Sequence, residues 1–398
     1  MQQLELSLNA DLKKLEDEEY SIEIRGSYLL VHDIPYVNSQ KEIKYGTIVT
    51  LLSFVSPNII GKPIDHTVNF AGEAPCDENG NQLISIINEG GAPIVTSDFE
   101  ARYFFSYKPP RGYYENYFEK IDTYAHFLYA YAKLIDPLVA EKRGKSAAKL
   151  IGGDVFKYPD TNSARAKIDY ENTKFRNLKI GIIGVGGTGS YILDLVSKTQ
   201  VKEIHIFDDD ELQLHNTFRA PGTLPDETIN NMKDLKKVDY YYSVYSRMHL
   251  GLKVHPYRIT NENINELHDF DYVFVCVDKN EVRFMIVNEL VKMGLSFSDV
   301  GLGVIKSEKG LLGTIRVTSA NKKKFNHLNE VIGSKESEKN EYNTNIQIAD
   351  LNCLNAALAV IKWKRHVGFY TDLKEEHHSL YHIETNKIIN NDFTSGVC

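Results

Sequence analysis

Four glycines in one short segment could bring the backbone close to a phosphate. The segment GIIGVGGTGS places Gly184, Gly186, Gly187 and Gly189 between an apolar run and an amphipathic run. This order predicts a strand, a tight turn and a helix, whose free N–H groups and positive dipole end favour an anionic ligand. The expected ligand is a nucleotide. The glycines alone do not separate a nicotinamide dinucleotide from ATP, because both satisfy the pattern.

Charged residues follow the next apolar run, in the segment DDDELQLHNTFR. Asp208 ends that predicted strand and could hold the ribose hydroxyls of either nucleotide. Asp210, Asn216 and Arg219 come after it, and a nicotinamide site has no need of an arginine at that position. Farther on, the run DYVFVCVDKNEVR ends a second predicted strand at Asp278.

This ordered set of motifs resembles the ThiF/MoeB/ubiquitin-activating-enzyme superfamily of adenylyltransferases. The shared features are GxGGxGS, which Ser190 completes, the acidic strand end, the N-x-x-R spacing, a lysine opening a helix, and an aspartate five residues before Arg283. The resemblance covers roughly residues 165 to 370. One position departs from the pattern, because Lys279 replaces the family's asparagine.

The resemblance implies roles for the residues in these motifs. Asp208 would bind ribose, Asn216 and Arg219 would hold phosphates, and Ser190 would cap the helix. The lysine would stabilise the leaving group, and Lys237 is the preferred candidate over Lys233 and Lys236. The full set implied for ATP is Gly184, Gly186, Gly187, Gly189, Asp208, Asp210, Asn216, Arg219 and Lys237, and the catalytic set is Arg219, Lys237 and Asp278, with Asp278 as the Mg²⁺ ligand.

The implied reaction is ATP-dependent adenylation of the C-terminal carboxylate of a ubiquitin-like protein. The resemblance also implies a homodimer, a conjugating-enzyme partner, an arginine supplied in trans by Arg165 or Arg176, and a place in a bacterial ubiquitin-like conjugation operon. A short peptide is the nearest alternative substrate. An NAD-dependent Rossmann oxidoreductase is the alternative reaction, and it leaves Asn216, Arg219 and Lys237 without a task.

The cysteines predict neither a disulfide framework nor a zinc site, because Cys76, Cys276, Cys353 and Cys398 form no CxxC pair. Cys353 falls in an apolar helical pattern, which favours a buried residue over a nucleophile. We therefore expect no thioester cysteine, and the acceptor of the acyl group stays open among a thiol, an amine and a hydroxyl.

Composition narrows the class of protein further. The 398 residues carry a net charge of -8 and no long basic cluster, which argues against a nucleic-acid surface. No apolar run approaches the roughly 20 residues of a membrane span. The expected location is the cytoplasm.

The chain length and the sequence pattern predict two domains. Residues 1–140 read as a smaller α+β domain of unassigned role, 141–170 as a linker, and 171–398 as the adenylation domain. In the last region, alternating helices and strands predict an α/β fold with a Rossmann-like, mostly parallel sheet covered by helices on both faces. The ligand of such a sheet belongs at the carboxyl ends of the strands, where Gly184, Asp208 and Asp278 all fall.

Overall fold

The structure is a computed structural model that describes residues 9–91, 93–95, 99–141, 149–151, 155–328 and 346–393. The chain divides into two compact units, Met1–Thr173 and Lys174–Cys398. The segment predicted as a linker contributes a strand and two short helices to the first unit. There the hydroxyl of Tyr28 donates a 2.8 Å hydrogen bond to the carboxylate of Asp169.

The first unit combines an antiparallel sheet with one long helix. Its helices are α1 (Ala10–Asp17), α2 (Tyr117–Ile135), α3 (Thr161–Ala166) and α4 (Asp169–Asn172). Its strands are β1 (Ser21–Arg25), β2 (Tyr28–Val37), β3 (Ile43–Leu51), β4 (Phe54–Ser56), β5 (Ile59–Ile60), β6 (Thr67–Ala71), β7 (Ile94–Val95), β8 (Glu100–Ala101), β9 (Tyr103–Ser106) and β10 (Lys149–Ile151). The six-stranded sheet has the order β10-β1-β2-β3-β6-β9, and β10 runs parallel to β1.

Helix α2 packs its apolar face on this sheet. Its N-cap is Asn116, whose side chain accepts a hydrogen bond from the backbone N–H of Glu119. Tyr117, Ile121 and Tyr124 lie on one face and are almost fully buried. The aromatic segment 113–118 is therefore largely core, although Tyr113 is exposed.

The second unit is built on an eight-stranded mixed sheet. Its strands are β11 (Lys179–Ile183), β12 (Glu203–Phe207), β13 (Leu252–His255), β14 (Tyr272–Val275), β15 (Ser296–Ser307), β16 (Gly310–Ala320), β17 (Glu376–His382) and β18 (Lys387–Phe393). Its helices are α5 (Gly187–Val196), α6 (Leu214–Thr217), α7 (Asp226–Asn230), α8 (Lys237–Tyr245), α9 (Asn280–Met293) and α10 (Ala349–His366). Short 3-10 helices span Thr173–Phe175, Ile264–Asp269 and Ile383–Thr385.

The sheet order is β13-β12-β11-β14-β15-β16-β17-β18. Strands β13 to β15 in this order pair in parallel, and β15 to β18 pair antiparallel. Alternate residues of one strand enter different apolar cores: Tyr272 and Phe274 pack with α5, α8 and α10, whereas Val273 and Val275 pack with α9. Helices therefore cover both faces of the parallel part, and the predicted fold class is confirmed.

Among the described helices, none combines the length and apolar character needed to cross a membrane.

Candidate active site

A cleft with a volume of about 300 Å³ opens at the carboxyl ends of the parallel strands. This volume lies at the lower end of the range of small-molecule sites, about 300 to 1,000 Å³. The cleft brings together segments that are far apart in the sequence. The predicted residues that line it are Gly184, Gly186, Gly187, Asp208, Asp210, Arg219, Lys237 and Asp278.

Close backbone approaches shape the turn at residues 184–187, which is called the glycine turn below. Gly184 has φ +90°, and a Cβ there would lie 2.8 Å from the carbonyl oxygen of Cys276. A Cβ on Gly189 would lie 1.9 Å from the carbonyl oxygen of Gly184. Gly189 is buried and does not line the cleft. Its lack of a side chain allows α5 to begin close to the backbone of the turn. By contrast, a Cβ on Gly186 would meet nothing within 4 Å, so this part of the turn faces open space.

Ser190 does not cap α5, contrary to expectation. The N-cap residue is Gly186, and the hydroxyl of Ser190 donates to the carbonyl oxygen of Gly187 at 2.8 Å. The reason is position, since Ser190 lies inside the first turn, where its hydroxyl bonds back to a carbonyl and not to a free N–H group.

Asp208 holds the turn in place. Its carboxylate accepts 2.9 Å hydrogen bonds from the backbone N–H groups of Val185 and Asp210. Burial raises the pKa of Asp208, and the nearby Lys237 ammonium opposes that rise. Each carboxylate oxygen retains further acceptor capacity for a ligand hydroxyl.

The structure distinguishes the three candidate lysines. Lys237 is 6% exposed, and its Nζ lies 2.7 Å from Asp210 Oδ2 and 4.0 Å from Asp208 Oδ1. Burial opposes the charge on Asp210, but the hydrogen bond and charge of Lys237 outweigh it and lower the pKa of Asp210. Lys236 donates to the carbonyl oxygen of Asp209, and Lys233 is exposed. Of the three, only Lys237 lines the cleft.

Asn216 is buried but does not line the cleft. Its Oδ1 accepts the backbone N–H of Gln213 at 2.9 Å, which closes the first turn of α6. In this arrangement the side chain stabilises the short helix that precedes Arg219, so its predicted phosphate contact remains a prediction.

Arg219 is a cation without an anionic partner. Across the described ranges, its guanidinium makes no hydrogen bond or ion pair, and its Nε is buried. Burial lowers the pKa of Arg219, and the charges of the Asp278 and Asp210 carboxylates oppose that effect. An unpaired buried donor costs about 1–3 kcal/mol, more for a charged group. A ligand anion would remove this cost.

Asp278 is exposed at the mouth of the cleft and forms no side-chain hydrogen bond or ion pair with any residue that the structure describes. Asp208, Asp209 and Asp210 form a tighter acidic group, with one oxygen from each within 4.8 Å of the others. That group already has cationic partners in Lys237 and Arg258. Asp278 therefore has the less compensated charge of the two candidate metal sites.

Arg258 and Asn352 are among the cleft-lining residues that were not predicted from the sequence. Arg258 follows β13 by three residues, and its Nε lies 2.5 Å from Asp209 Oδ1. The rule that ligands bind beyond the carboxyl ends of parallel strands could have found it. Asn352 lies in α10, and only the folded chain brings that helix to the glycine turn.

Arg283 also lines the cleft, but its charge is used internally. Its Nε donates to Asp299 Oδ1 at 3.0 Å, and Arg316 donates to the other oxygen of the same carboxylate at 2.5 Å. Asp299 is fully buried, so this ion-pair network anchors α9 to β15 and β16 rather than facing a ligand.

The cysteines differ from expectation at one position. Cys353 is exposed on α10, so the prediction of a buried residue there is wrong, because this position lies outside the helix face that packs on the sheet. Cys276 lines the cleft, and burial raises the pKa of its thiol. Cys76 is buried in the first unit. Cys398 lies outside the described residues, as do Ser334, Ser337 and Thr344, the candidates for a hydroxyl acceptor.

The fold and the cleft define an α/β domain with a charged site at the carboxyl edge of its parallel strands. Comparison with family models agrees with this class. Residues 162–359 match the model described as ThiF family, and residues 10–161 match one described as a domain of unknown function, DUF6791. Residues 162–359 of this chain thus belong to the ThiF family, and the family resemblance predicted from the sequence is confirmed for them.

Curated relatives match in part of their length. Adenylyltransferase and sulfurtransferase UBA4 of Lodderomyces elongisporus is 31% identical over 130 residues, which cover 30% of this chain and 26% of that protein. Ubiquitin-like modifier-activating enzyme 5 of Rattus norvegicus is 25% identical over 160 residues, which cover 37% of this chain and 38% of that protein. The chain therefore spans well under half of either relative.

Solved structures give a weaker likeness. E. coli MccB with MccA-N7isoASN superposes with a TM-score of 0.46 at 16% identity, covering 62% of this chain and 76% of that chain. PaaA gives a TM-score of 0.43 at 12% identity, covering 56% and 75%.

Proposed function

We propose that this protein is an ATP-dependent adenylyltransferase that activates the C-terminal carboxylate of a ubiquitin-like protein. In this reaction a carboxylate oxygen attacks the α-phosphorus of ATP, the bond from that phosphorus to the bridging oxygen breaks, and pyrophosphate leaves with its electron pair. The product is an acyl adenylate. Family membership of residues 162–359 and the adenylyltransferase names of the curated relatives support this proposal.

The observation that carries the proposal is the unpartnered guanidinium of Arg219 in the cleft. A phosphate is the natural partner of such a group, because it accepts several N–H donors and carries the opposite charge. A nicotinamide oxidoreductase transfers hydride and needs no cation at a reacting phosphorus. The proposal gives this arginine a task in the chemical step, whereas in the alternative reaction it could only bind the diphosphate of the cofactor.

The residues of the cleft fit a triphosphate. The open space at Gly186 and the N-terminus of α5 suit a phosphate approached by backbone N–H groups. Arg219 and Lys237 would hold phosphate oxygens and stabilise the charge that develops on the departing pyrophosphate. Asp208 would accept from ribose hydroxyls, while Asp210 fixes the lysine.

Asp278 is the residue that we assign to Mg²⁺, because carboxylate oxygens suit this ion and this carboxylate lacks a compensating partner within the described structure. The ion would supply Lewis-acid stabilisation of phosphoryl oxygens. The charge of Asp278 also raises the pKa of Arg219, so the two groups interact electrostatically.

The finer assignments are proposals of the same kind. The name of one relative, ubiquitin-like modifier-activating enzyme 5, supports a ubiquitin-like substrate over a short peptide. We further propose a cytoplasmic homodimer that hands the activated acyl group to a conjugating enzyme or another acceptor, as in a bacterial conjugation operon. The exposed Cys353 adds a thiol to the candidate acceptors.

The test is exchange of labelled pyrophosphate into ATP in the presence of a candidate ubiquitin-like protein with a free C-terminus. We expect exchange with the wild type and a loss of at least about 100-fold in Asp278→Ala, because the metal-binding carboxylate is gone. Asp239→Ala, which removes an exposed acid of α8 that does not line the cleft, is the control and should keep full activity.

Full exchange in Asp278→Ala would remove Asp278 from the mechanism. Absence of ATP binding in the wild type, together with tight NAD binding by calorimetry, would instead support the oxidoreductase. Exchange with short peptides but with no ubiquitin-like protein would reassign the substrate class and keep the reaction.

A further inference from the structure

Arg219 lies on an irregular segment that has few attachments to the rest of the second unit. Its backbone N–H donates to the carbonyl oxygen of Asn216 at 3.2 Å, which is a local contact with α6. Its neighbour Phe218 is 78% exposed, so apolar packing holds this segment weakly. A phosphate-binding guanidinium needs a well-defined position, since misplacement of a reacting or stabilising group by about 1 Å can cost 100-fold in rate.

The long-range attachment of Arg219 within the described residues comes from α10. Asn352 Nδ2 donates to the carbonyl oxygen of Arg219 at 3.2 Å. The other end of the same amide, Oδ1, accepts from the hydroxyl of Thr188 at 3.0 Å. Thr188 lies in the first turn of α5, directly after the glycine turn. The buried side chain of Asn352 therefore joins the segment that carries Arg219 to the glycine turn.

The geometry allows one orientation of this amide. The carbonyl oxygen of Arg219 can only accept, so it must face the NH₂ group of Asn352, and Oδ1 must face the threonine hydroxyl. Asn352 is 1% exposed, which shields both hydrogen bonds from competing water. Both of its side-chain groups are used by protein partners.

The glycine turn has the matching shape. A Cβ on Gly187 would lie 2.2 Å from Asn352 Nδ2, so any larger residue there would push the amide away. Gly187 thus has a second reason to be glycine, apart from access to a phosphate. The sequence motif alone does not reveal this reason, because the partner residue lies 165 positions later, at Asn352.

We propose that Asn352 is a positioning residue that sets the distance between Arg219 and the glycine turn. It acts through Arg219 and needs no contact with the ligand, and the inference rests on the proposed function only in taking a nucleotide phosphate as the ligand of that arginine. The predicted consequence is specific. Loss of Asn352 weakens binding of the phosphates and spares binding of the nucleoside.

The experiment compares ATP and adenosine as ligands of the full chain, by calorimetry for tight binding and by saturation-transfer NMR for weak binding. We expect Asn352→Ala to weaken ATP binding about tenfold and to change adenosine binding less than twofold. Asn38→Ala is the matched control. It removes another buried asparagine, 1% exposed in the first unit, and should lower thermal stability without changing ATP affinity.

A double-mutant cycle with Arg219→Ala separates positioning from direct contact. If Asn352 acts through Arg219, Asn352→Ala causes no further loss of ATP affinity once Arg219 is alanine. Additive losses would show that Asn352 acts independently of Arg219, through the glycine turn or by contact with the nucleotide. Equal losses for ATP and adenosine would show a merely structural role. Either result overturns the inference.

A second variant covers the case in which Asn352→Ala fails to fold. Asn352→Asp keeps the shape and the acceptor for Thr188 but places an oxygen against the carbonyl of Arg219. We expect at least the same loss of ATP affinity, and unchanged affinity would contradict the proposal. If the wild type binds adenosine but not ATP, the proposed function fails instead, and that outcome is distinct from wild-type ATP binding that is insensitive to Asn352.

Discussion

Lys120 in the first unit and Arg219 in the second are both cations with restricted access to water, but their surroundings differ. Lys120 is 1% exposed, and its Nζ donates to Thr50 Oγ1 at 2.9 Å and lies 3.0 Å from Asp65 Oδ1. The guanidinium of Arg219 has no hydrogen-bond acceptor or carboxylate partner among the described residues. Protein groups partner the ammonium of Lys120, whereas the guanidinium of Arg219 remains available to a ligand anion.

The difference separates structure from function. A buried charge with a complete set of partners maintains the fold and gains nothing from a ligand. A partly buried charge without partners lowers the stability of the free protein, so it persists where a ligand repays that cost. Burial alone would rank Lys120 as the more unusual residue, but the missing partner points to Arg219.

The largest effect on activity is expected from a substitution of Arg219. We expect Arg219→Ala to reduce pyrophosphate exchange by about 10² to 10³-fold, the range seen when one donor to a developing negative charge is removed. Thermal stability should stay the same or rise, because an unpaired buried cation is removed. Activity and melting temperature measured on one preparation check both points. A large drop in stability would show that the arginine has a structural partner.

The opposite pattern is expected at Lys120. Asp65→Ala leaves the buried ammonium without its carboxylate and should lower the free energy of unfolding by about 1–3 kcal/mol, since the partly exposed aspartate lessens the penalty. Lys120→Met removes the charge, keeps most of the volume and should cost less. Denaturant unfolding measures the difference. Neither variant should change ATP affinity, and a loss of affinity would contradict the structural role.

Two buried histidines of the second unit extend the comparison of buried basic groups, because burial favours their neutral form. Burial lowers the pKa of His377 and of His378 to about 4, and the nearby Arg316 adds to the effect at His378. The unfolded chain has the ordinary pKa near 6.5, so it binds more protons between pH 6.5 and pH 4. This contribution to stability is complete above pH 6.5 and is lost as the pH falls toward 4.

We expect the free energy of unfolding of the second unit to fall by roughly 2 kcal/mol for each of these histidines between pH 7 and pH 5. Fluorescence of Trp363, the single tryptophan of the chain, is a suitable probe because the residue is fully buried in this unit. His378→Gln should make the midpoint of unfolding less sensitive to pH. A midpoint that stays constant from pH 7 to pH 5 would show that these rings bind protons as readily in the folded state as in the unfolded chain.

Much of the second unit could be predicted from residue patterns. Alternating apolar runs and amphipathic segments predicted the parallel strands and their covering helices, because side-chain period reports directly on secondary structure. The rule for the carboxyl ends of strands then placed Gly184, Asp208 and Asp278 at one edge, and all three line the cleft. Motif order carried the family assignment.

Other predictions required distances that a sequence does not contain. Three lysines within five positions were equivalent in sequence, and only the start of α8 places Lys237 beside Asp210. Asn216 matched a motif, yet its side chain closes a turn of α6. Cys353 fell in an apolar pattern, yet it lies on the exposed side of α10. In each case the deciding factor was the direction of one side chain.

The sequence by itself determined the class of fold, the glycine-rich turn before helix α5 and the charged residues that follow the strands. These depend on local periodicity and on spacing within one βαβ unit, and both can be read along the chain. Tertiary structure alone decided which charges have partners and which residue links Arg219 to the glycine turn. Those properties depend on contacts such as Asn352 with Arg219 and Thr188, which form only when helix α10 packs against the parallel sheet.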